Sequence, residues 1–324
     1  MAGEFELIAR LFSRPTRSAA MGACVALGAG DDCALFAPAP GQLLAVSCDM
    51  LVEGRHFLST VAPEHLGHKA LAVNLSDLAA CGAEPLACTL ALALPRADEA
   101  FVAGFARGLY ALAEAHGIAL VGGDTNAGPL NICITVFGQV PPGQALLRSG
   151  ARPGDALWVS GALGDARLAL EVFRGTLSLP GDDFHAVRRA MELPQPQVAL
   201  GQALRGLATS AIDLSDGLCG DLGHVLRASG VGATVQWAAL PRSAVLAAQP
   251  AAVQQLCVLS GGDDYELLFT APAGRDEAVR AAARAAGVAV TRCGLIEAAP
   301  GLRVVDAAGH EVDVEGRAFD HFAD

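Results

Sequence analysis

Aspartates beside glycines recur where apolar runs end: Gly28-Ala-Gly-Asp-Asp32, Ser47-Cys-Asp49, Asn74-Leu-Ser-Asp77, Gly122-Gly-Asp-Thr125, Asp213-Leu-Ser-Asp-Gly217 and Gly261-Gly-Asp-Asp264. A single Gly-Asp reads as a turn, because Asp bonds its own backbone and Gly accepts positive φ. Six acidic motifs, four of them with glycine, read differently. Gathered carboxylates repel one another and need cations to hold them together. Oxygen donors without Cys or His suit hard cations, Mg2+ above all. Mg2+ commonly takes one or two carboxylates and completes its shell from substrate phosphates. The pattern points to Mg-nucleotide chemistry.

That chemistry has to run without a P-loop. The chain has one lysine, Lys69, and no Gly-Lys pair, which excludes a Walker A loop, and protein-kinase signatures are missing as well. The net charge of −12 supplies no basic footprint, so nucleic acid is excluded as a partner. The nine cysteines are odd in number and no two are spaced as C-x-x-C, so they read as reduced thiols, not a zinc or redox motif. His65 and His68 have a metal-like helical spacing but no third soft ligand nearby in sequence, and Trp158 and Trp237 read as core. Two features stay open: Gly161-Ala-Leu-Gly-Asp165 is either a tight turn or an anion cradle at a helix N-terminus, and Tyr110 either packs or meets an adenine.

The elements that must position these groups alternate between strand-like and helix-like runs, so the class is mixed α/β. Residues 42–46, 86–94, 118–121 and 131–140 read as strands, with helices over 64–81 and 99–116. Pro141, Pro142 and Gly143 break the pattern, and it restarts at Arg152-Pro-Gly-Asp155. This implies two domains, 1–147 and 148–324. The second offers a strand at 156–160, a helix from Asp165, a helix over 196–208, a strand-to-helix passage over 211–227 and a tail of short strands and turns from 302. The reading places the acidic motifs at strand ends, where loops of α/β proteins gather their sites. Hydrophobic residues make up 52% of the chain, but no apolar run approaches the ~18–20 residues that span a bilayer, and no basic start leads into an apolar stretch. The expectation is a soluble cytoplasmic protein without a membrane partner.

Taken in order, Gly30-Asp-Asp32, Asn74-Leu-Ser-Asp-Leu-Ala-Ala-Cys-Gly-Ala83, Gly122-Gly-Asp-Thr125, Ala211-Ile-Asp-Leu-Ser-Asp-Gly217 and Ser260-Gly-Gly-Asp-Asp-Tyr-Glu266 resemble the thiamine-monophosphate kinases. These belong to the superfamily of aminoimidazole-ribotide synthetase and selenophosphate synthetase. The likeness runs from Gly3-Glu-Phe5 to Phe319-Asp-His-Phe322. It implies MgATP-dependent phosphorylation of thiamine monophosphate to the diphosphate by a homodimer. It also implies an N-terminal α/β domain at the dimer interface and a C-terminal α/β domain closing the cleft.

Carried over by position, the resemblance puts Asp32, Ser47, Cys48, Asp49, Asp77, Asp124, Asp213 and Asp216 on metal-binding places. Gly123, Asp124, Arg148 and Ser215 fall on ATP-binding places, and His56, Asp263 and Phe319 on substrate-binding places. No residue is assigned as catalytic base or nucleophile, since the acceptor phosphate is already ionised. Three positions depart from the family pattern. Cys48 stands where Thr is common, Asp263 where Glu is common, and Phe319 on an aromatic place that is often Trp or Tyr. The alternatives are a sister ATP-dependent enzyme such as aminoimidazole-ribotide synthetase, or a non-catalytic nucleotide sensor. Selenophosphate synthetase would need a Lys near the N-terminus, and none precedes Lys69.

Overall fold

The computed structural model describes residues 11–12, 24–29 and 32–312, which fall into two compact units: 1–78 with 83–143, and 79–82 with 144–324. Gly30, Phe319 and both terminal motifs lie outside the described residues.

The first unit is built on a four-stranded sheet in the order β3-β6-β4-β5, from β3 (Leu43–Val52), β4 (Glu84–Leu94), β5 (Ala119–Ala127) and β6 (Asn131–Val140). A short hairpin, β1 (Val25–Leu27) and β2 (Leu35–Phe36), precedes it. β6 is antiparallel to both neighbours, and β4 runs parallel to β5. Parallel neighbours need a crossover. Helix α2 (Glu99–His116) supplies it, started by an Asp98 cap that accepts from Phe101 N and stopped by Gly117 at φ 64°.

Helix α1 (Pro63–Ala80) buries Leu66, Leu71, Leu75 and Leu78, and α2 buries Phe105 and Leu109. The two helices cross closely at two glycines. A Cβ on Gly67 would stand 2.0 Å from Phe105 O, and one on Gly108 would stand 1.8 Å from Glu64 O. On the sheet, Leu51, Leu90, Leu92, Ile132, Ile134 and Val136 share the buried face, while Leu44, Val46 and Met50 on the other face of β3 are 47%, 56% and 52% exposed.

Two strands are longer than their apolar runs suggest. β3 continues six residues past Val46 and β5 six past Val121, so Asp49 and Asp124 lie within strands, not at their ends. Ladder pairing is a backbone property. It continues from Leu43↔Val140 to Val52↔Asn131 regardless of the polar side chains on β3.

The second unit has a six-stranded sheet ordered β12-β9-β11-β7-β10-β8, antiparallel throughout except for β9 with β12. Its strands are β7 (Ala156–Ser160), β8 (Ser210–Asp213), β9 (Gly232–Gln236), β10 (Leu267–Ala271), β11 (Val290–Glu297) and β12 (Gly301–Val305). Helices α3 (Asp165–Phe173), α4 (Gly181–Glu192), α6 (Leu218–Ser229) and α7 (Ala251–Ser260) feed one apolar core with Leu168, Val187, Leu222 and Val258. The expected helix over 196–208 shortens to α5 (Val198–Ala203), and the chain turns at Leu204 and reaches Gly206 at φ 72°. Trp158 is fully buried, stacked on Phe269 with ring centroids 6.3 Å apart, while Trp237 is half-buried beneath Arg242.

Candidate functional site

In the first unit the acidic groups fall into two sets. Ser47 and Asp49 sit on the face of β3 that α1 covers, because alternate strand residues share a face. Ser47 Oγ donates to Asp77 Oδ2 at 2.5 Å. One turn of α1 earlier, Asn74 Oδ1 accepts from Asp49 N at 2.9 Å, and its Nδ2 donates to Ala70 O, which fixes which way the amide faces. The Asn-Leu-Ser-Asp motif therefore works as a helical ruler, with Asn74 holding the β3 backbone and Asp77 meeting Ser47. Cys48 points to the other face, where its Sγ lies 3.3 Å from that of Cys133. Past the strand, His56 Nδ1 accepts from Val52 N at 2.9 Å, so Nε2 carries the proton of the neutral ring. Asp32 is exposed at a bend between β1 and β2.

Asp124 belongs to the second set. The pairings Asp49↔Ile134, Ile134↔Leu90 and Leu90↔Gly123 run straight across the sheet, so Asp49 and Gly123 lie three strand spacings apart, roughly 14 Å. Asp124 pairs with Ala91 and so points to the face opposite Asp49. It accepts from Thr125 N at 2.9 Å and from Asn126 Nδ2 at 2.5 Å. Gly123 is indispensable here: at φ 150° a Cβ would stand 1.8 Å from Leu90 O.

In the second unit the two remaining motifs are laced together. Asp213 ends β8, and the turn after it bonds to the loop before β10. Leu214 N donates to Glu266 O, Tyr265 N to Leu214 O, and Asp263 N to Ser215 O, each at 2.8 Å. The loop reaches these partners only by adopting positive φ at Asp263 (65°) and Tyr265 (52°). Asp tolerates this conformation better than most residues, which fits its presence at 263. The structure thus brings Asp213, Ser215, Asp216 and Asp263 together. Arg148 is exposed. On α6, burial holds the His224 pKa below its ordinary value, the Arg227 and Arg148 charges add to this, and the Asp216 carboxylate opposes it.

Buried carboxyls underpin this region. Burial pushes Glu266 up to about 7, with Ser160 Oγ donating to it. It raises Asp264 well above the usual range, even though Gly164 N donates to Asp264 Oδ1 at 2.9 Å. Burial also pushes Asp221 up to about 7, with Asp216 N donating to it at 3.0 Å. The Gly164 bond decides the Gly161–Asp165 feature, since a carboxylate of the protein itself already occupies that helix start. Tyr110 is decided as well: its hydroxyl donates to Phe12 O at 2.9 Å inside the core. From sequence, Asn74 stands only as part of its motif, with no role of its own, and Asp221 and His224 are not singled out, since no motif marks their partners in the turn before α6.

Among the described residues no three acidic, histidine or cysteine side chains close on a common point. The donors are oxygens in ones and twos. Such a set fits Mg2+ completed by phosphate and does not fit a cation caged by protein alone.

Residues 30–140 match the AIR synthase related protein N-terminal domain, and 152–307 match the C-terminal domain of that family. The thiamine-monophosphate kinase of Salmonella typhimurium (strain LT2) is 45% identical over 324 residues, 99% of this chain and 98% of that protein. The chain belongs to the thiamine-monophosphate kinase family. The crystal structure of the thiamine-monophosphate kinase from Stenotrophomonas maltophilia K279a is similar with a TM-score of 0.84 and 42% identity, covering 94% of this chain and 95% of that one. AaThiL complexed with AMPPCP and TMP is similar with a TM-score of 0.77 and 28% identity, covering 99% and 97%. The mixed α/β architecture described above is thus that of a thiamine-monophosphate kinase, and no helix among the described residues is long and apolar enough to cross a membrane.

Proposed function

We propose that this chain transfers the γ-phosphoryl group of ATP directly to the phosphate of thiamine monophosphate, giving thiamine diphosphate and ADP. The observation that carries this reading is the 45% identity to a thiamine-monophosphate kinase over 99% of this chain, beside the six acidic motifs of the sequence. The complex of AaThiL with AMPPCP, a non-hydrolysable ATP analogue, and TMP supports the same pair of substrates.

In this reading Asp32, Ser47, Asp49, Asp77, Asp124, Asp213 and Asp216 hold Mg2+, with Cys48 contributing through its backbone carbonyl. Bound Mg2+ would neutralise the charge between two phosphates brought in line. Gly123 lets the backbone approach the nucleotide, and Ser215 and Arg148 steady its phosphates, Arg148 through its planar fork of donors. His56 offers Nε2–H to the acceptor phosphate, Asp263 contacts the substrate, and Phe319 stacks on its ring system. No protein base is needed, because the acceptor is ionised at neutral pH, and no phosphorylated enzyme forms.

The same reading makes the protein a cytoplasmic homodimer. Leu44, Val46 and Met50 give β3 an exposed apolar face on an edge strand, a surface that proteins usually cover. A panel of acceptors with MgATP, with products identified chemically, tests the activity. Thiamine diphosphate and ADP are expected only with a divalent cation. Aminoimidazole-ribotide synthesis without diphosphate formation would overturn the proposal.

A further inference from the structure

The first turn of α6 carries a carboxylate with no place in the reaction above. Asp221 is 2% exposed. Its Oδ2 accepts from Asp216 N at 3.0 Å, and the nearby backbone N–H groups of Ser215 and Gly217 favour its charged form. Its own N–H donates to Gly217 O at 3.0 Å, so side chain and backbone grip the same turn from both sides. The Asp216 carboxylate acts against its charge, and these amides act for it.

Helix packing does not call for an acid here. Leu218, Leu222, Val225 and Leu226 of α6 already supply the core. A buried carboxylate costs several kcal/mol unless its hydrogen bonds are made, so its presence marks a requirement on what it holds. It holds the turn that bears Asp213, Ser215 and Asp216. Amides at a helix start otherwise form a ready anion site, but here the Asp216 amide is given to Asp221. The start of α3 follows the same plan, with Gly164 N given to Asp264. One amide at each of these helix starts is thus given to a side chain of the protein, and in the kinase reading the turn meets phosphate through Ser215 Oγ and a cation held at Asp216.

We infer that Asp221 is a positioning residue: by holding the Asp216 amide within the 215–217 turn, it sets the geometry at which Ser215 and Asp216 engage metal-bound nucleotide. This rests on the kinase reading above. Asp221→Asn keeps the shape but sets an amide NH2 against backbone donors, and Asp221→Ala removes the hold on the Asp216 amide.

The test measures binding of MgAMPPCP to the full chain at equilibrium, together with Mg2+ and ATP titrations of activity. We expect the analogue Kd and the half-activating Mg2+ concentration to rise at least 5-fold in the Asn variant and further in the Ala variant. At saturation kcat should stay within about 3-fold of wild type, and metal-free melting of the Asn variant should be little changed. If a truncation does not fold, Asp221→Glu, which displaces the carboxyl by one methylene, should raise the Mg2+ requirement in the same direction. Analogue binding within 2-fold of wild type in the folded variants would overturn the inference, as would a loss of kcat with an unchanged Mg2+ requirement. A wild-type chain that fails to bind MgAMPPCP would instead overturn the kinase reading, and the positioning role with it.

Discussion

At the scale of single residues, the two sets of first-unit carboxylates are separable by mutation. Asp49 and Asp124 lie on opposite faces of one sheet, and each is a proposed metal ligand. Asp49→Asn and Asp124→Asn should each lower kcat by roughly 10²–10³, the scale of removing one preorganised electrostatic element. The double variant should lose less than the product, since ligands serving one reaction act as a unit. Steady-state kinetics at saturating MgATP decide this, and a single variant within a few-fold of wild type removes that residue from the site. Glu266 makes a pH prediction. Its folded pKa is raised from 4.5 to about 7, so the folded state binds the extra proton. Stability from this group is complete below about pH 4.5 and is lost as pH rises through about 7. The loss amounts to about 3 kcal/mol if the full shift is realised. Urea unfolding at pH 5 and pH 8 should show a larger fall in wild type than in Glu266→Gln, and equal falls would contradict the assignment.

At the scale of elements, β5 carries two adjacent glycines in unlike environments. A Cβ on Gly122 meets nothing within 4 Å, whereas one on Gly123 meets the backbone carbonyl of Leu90 at 1.8 Å with φ at 150°. Gly123→Ala should therefore destabilise by about 2–4 kcal/mol, through strained backbone and a displaced strand. Gly122→Ala should change stability by less than about 1 kcal/mol, as open sites usually do. Chemical denaturation of the two variants side by side provides the check, and similar effects would mean that β5 does not approach β4 as described. The Asn74-Leu-Ser-Asp77 segment was legible as a helical motif, because its spacing and apolar partners are local. What its polar groups hold was not legible: Asn74 braces β3 and Asp77 meets Ser47, partners 25 and 30 residues away.

At the scale of the whole molecule, the apolar face of β3 should be covered by a second copy. Val46→Glu combined with Met50→Glu places like charges on that face without touching the core. Sedimentation should show wild type as a dimer and the variant as a monomer, both folded by thermal melt. A wild-type monomer, or a variant that remains a dimer, would remove β3 from the interface. The sequence by itself determined the class of chemistry: acidic motifs without a P-loop, one lysine, and an ordered set of segments shared with a known kinase family. It also determined the alternation of strands and helices, since hydrophobic period is written locally. Only the tertiary structure decided that β3 and β5 run through their aspartates, because ladder pairing depends on distant backbones and not on side-chain polarity. It alone put Asp49 and Asp124 on opposite faces, turned the Gly161–Asp165 loop onto Asp264 and buried Tyr110 against Phe12. Each of these depends on which groups meet across tens of residues, and no local spacing encodes that.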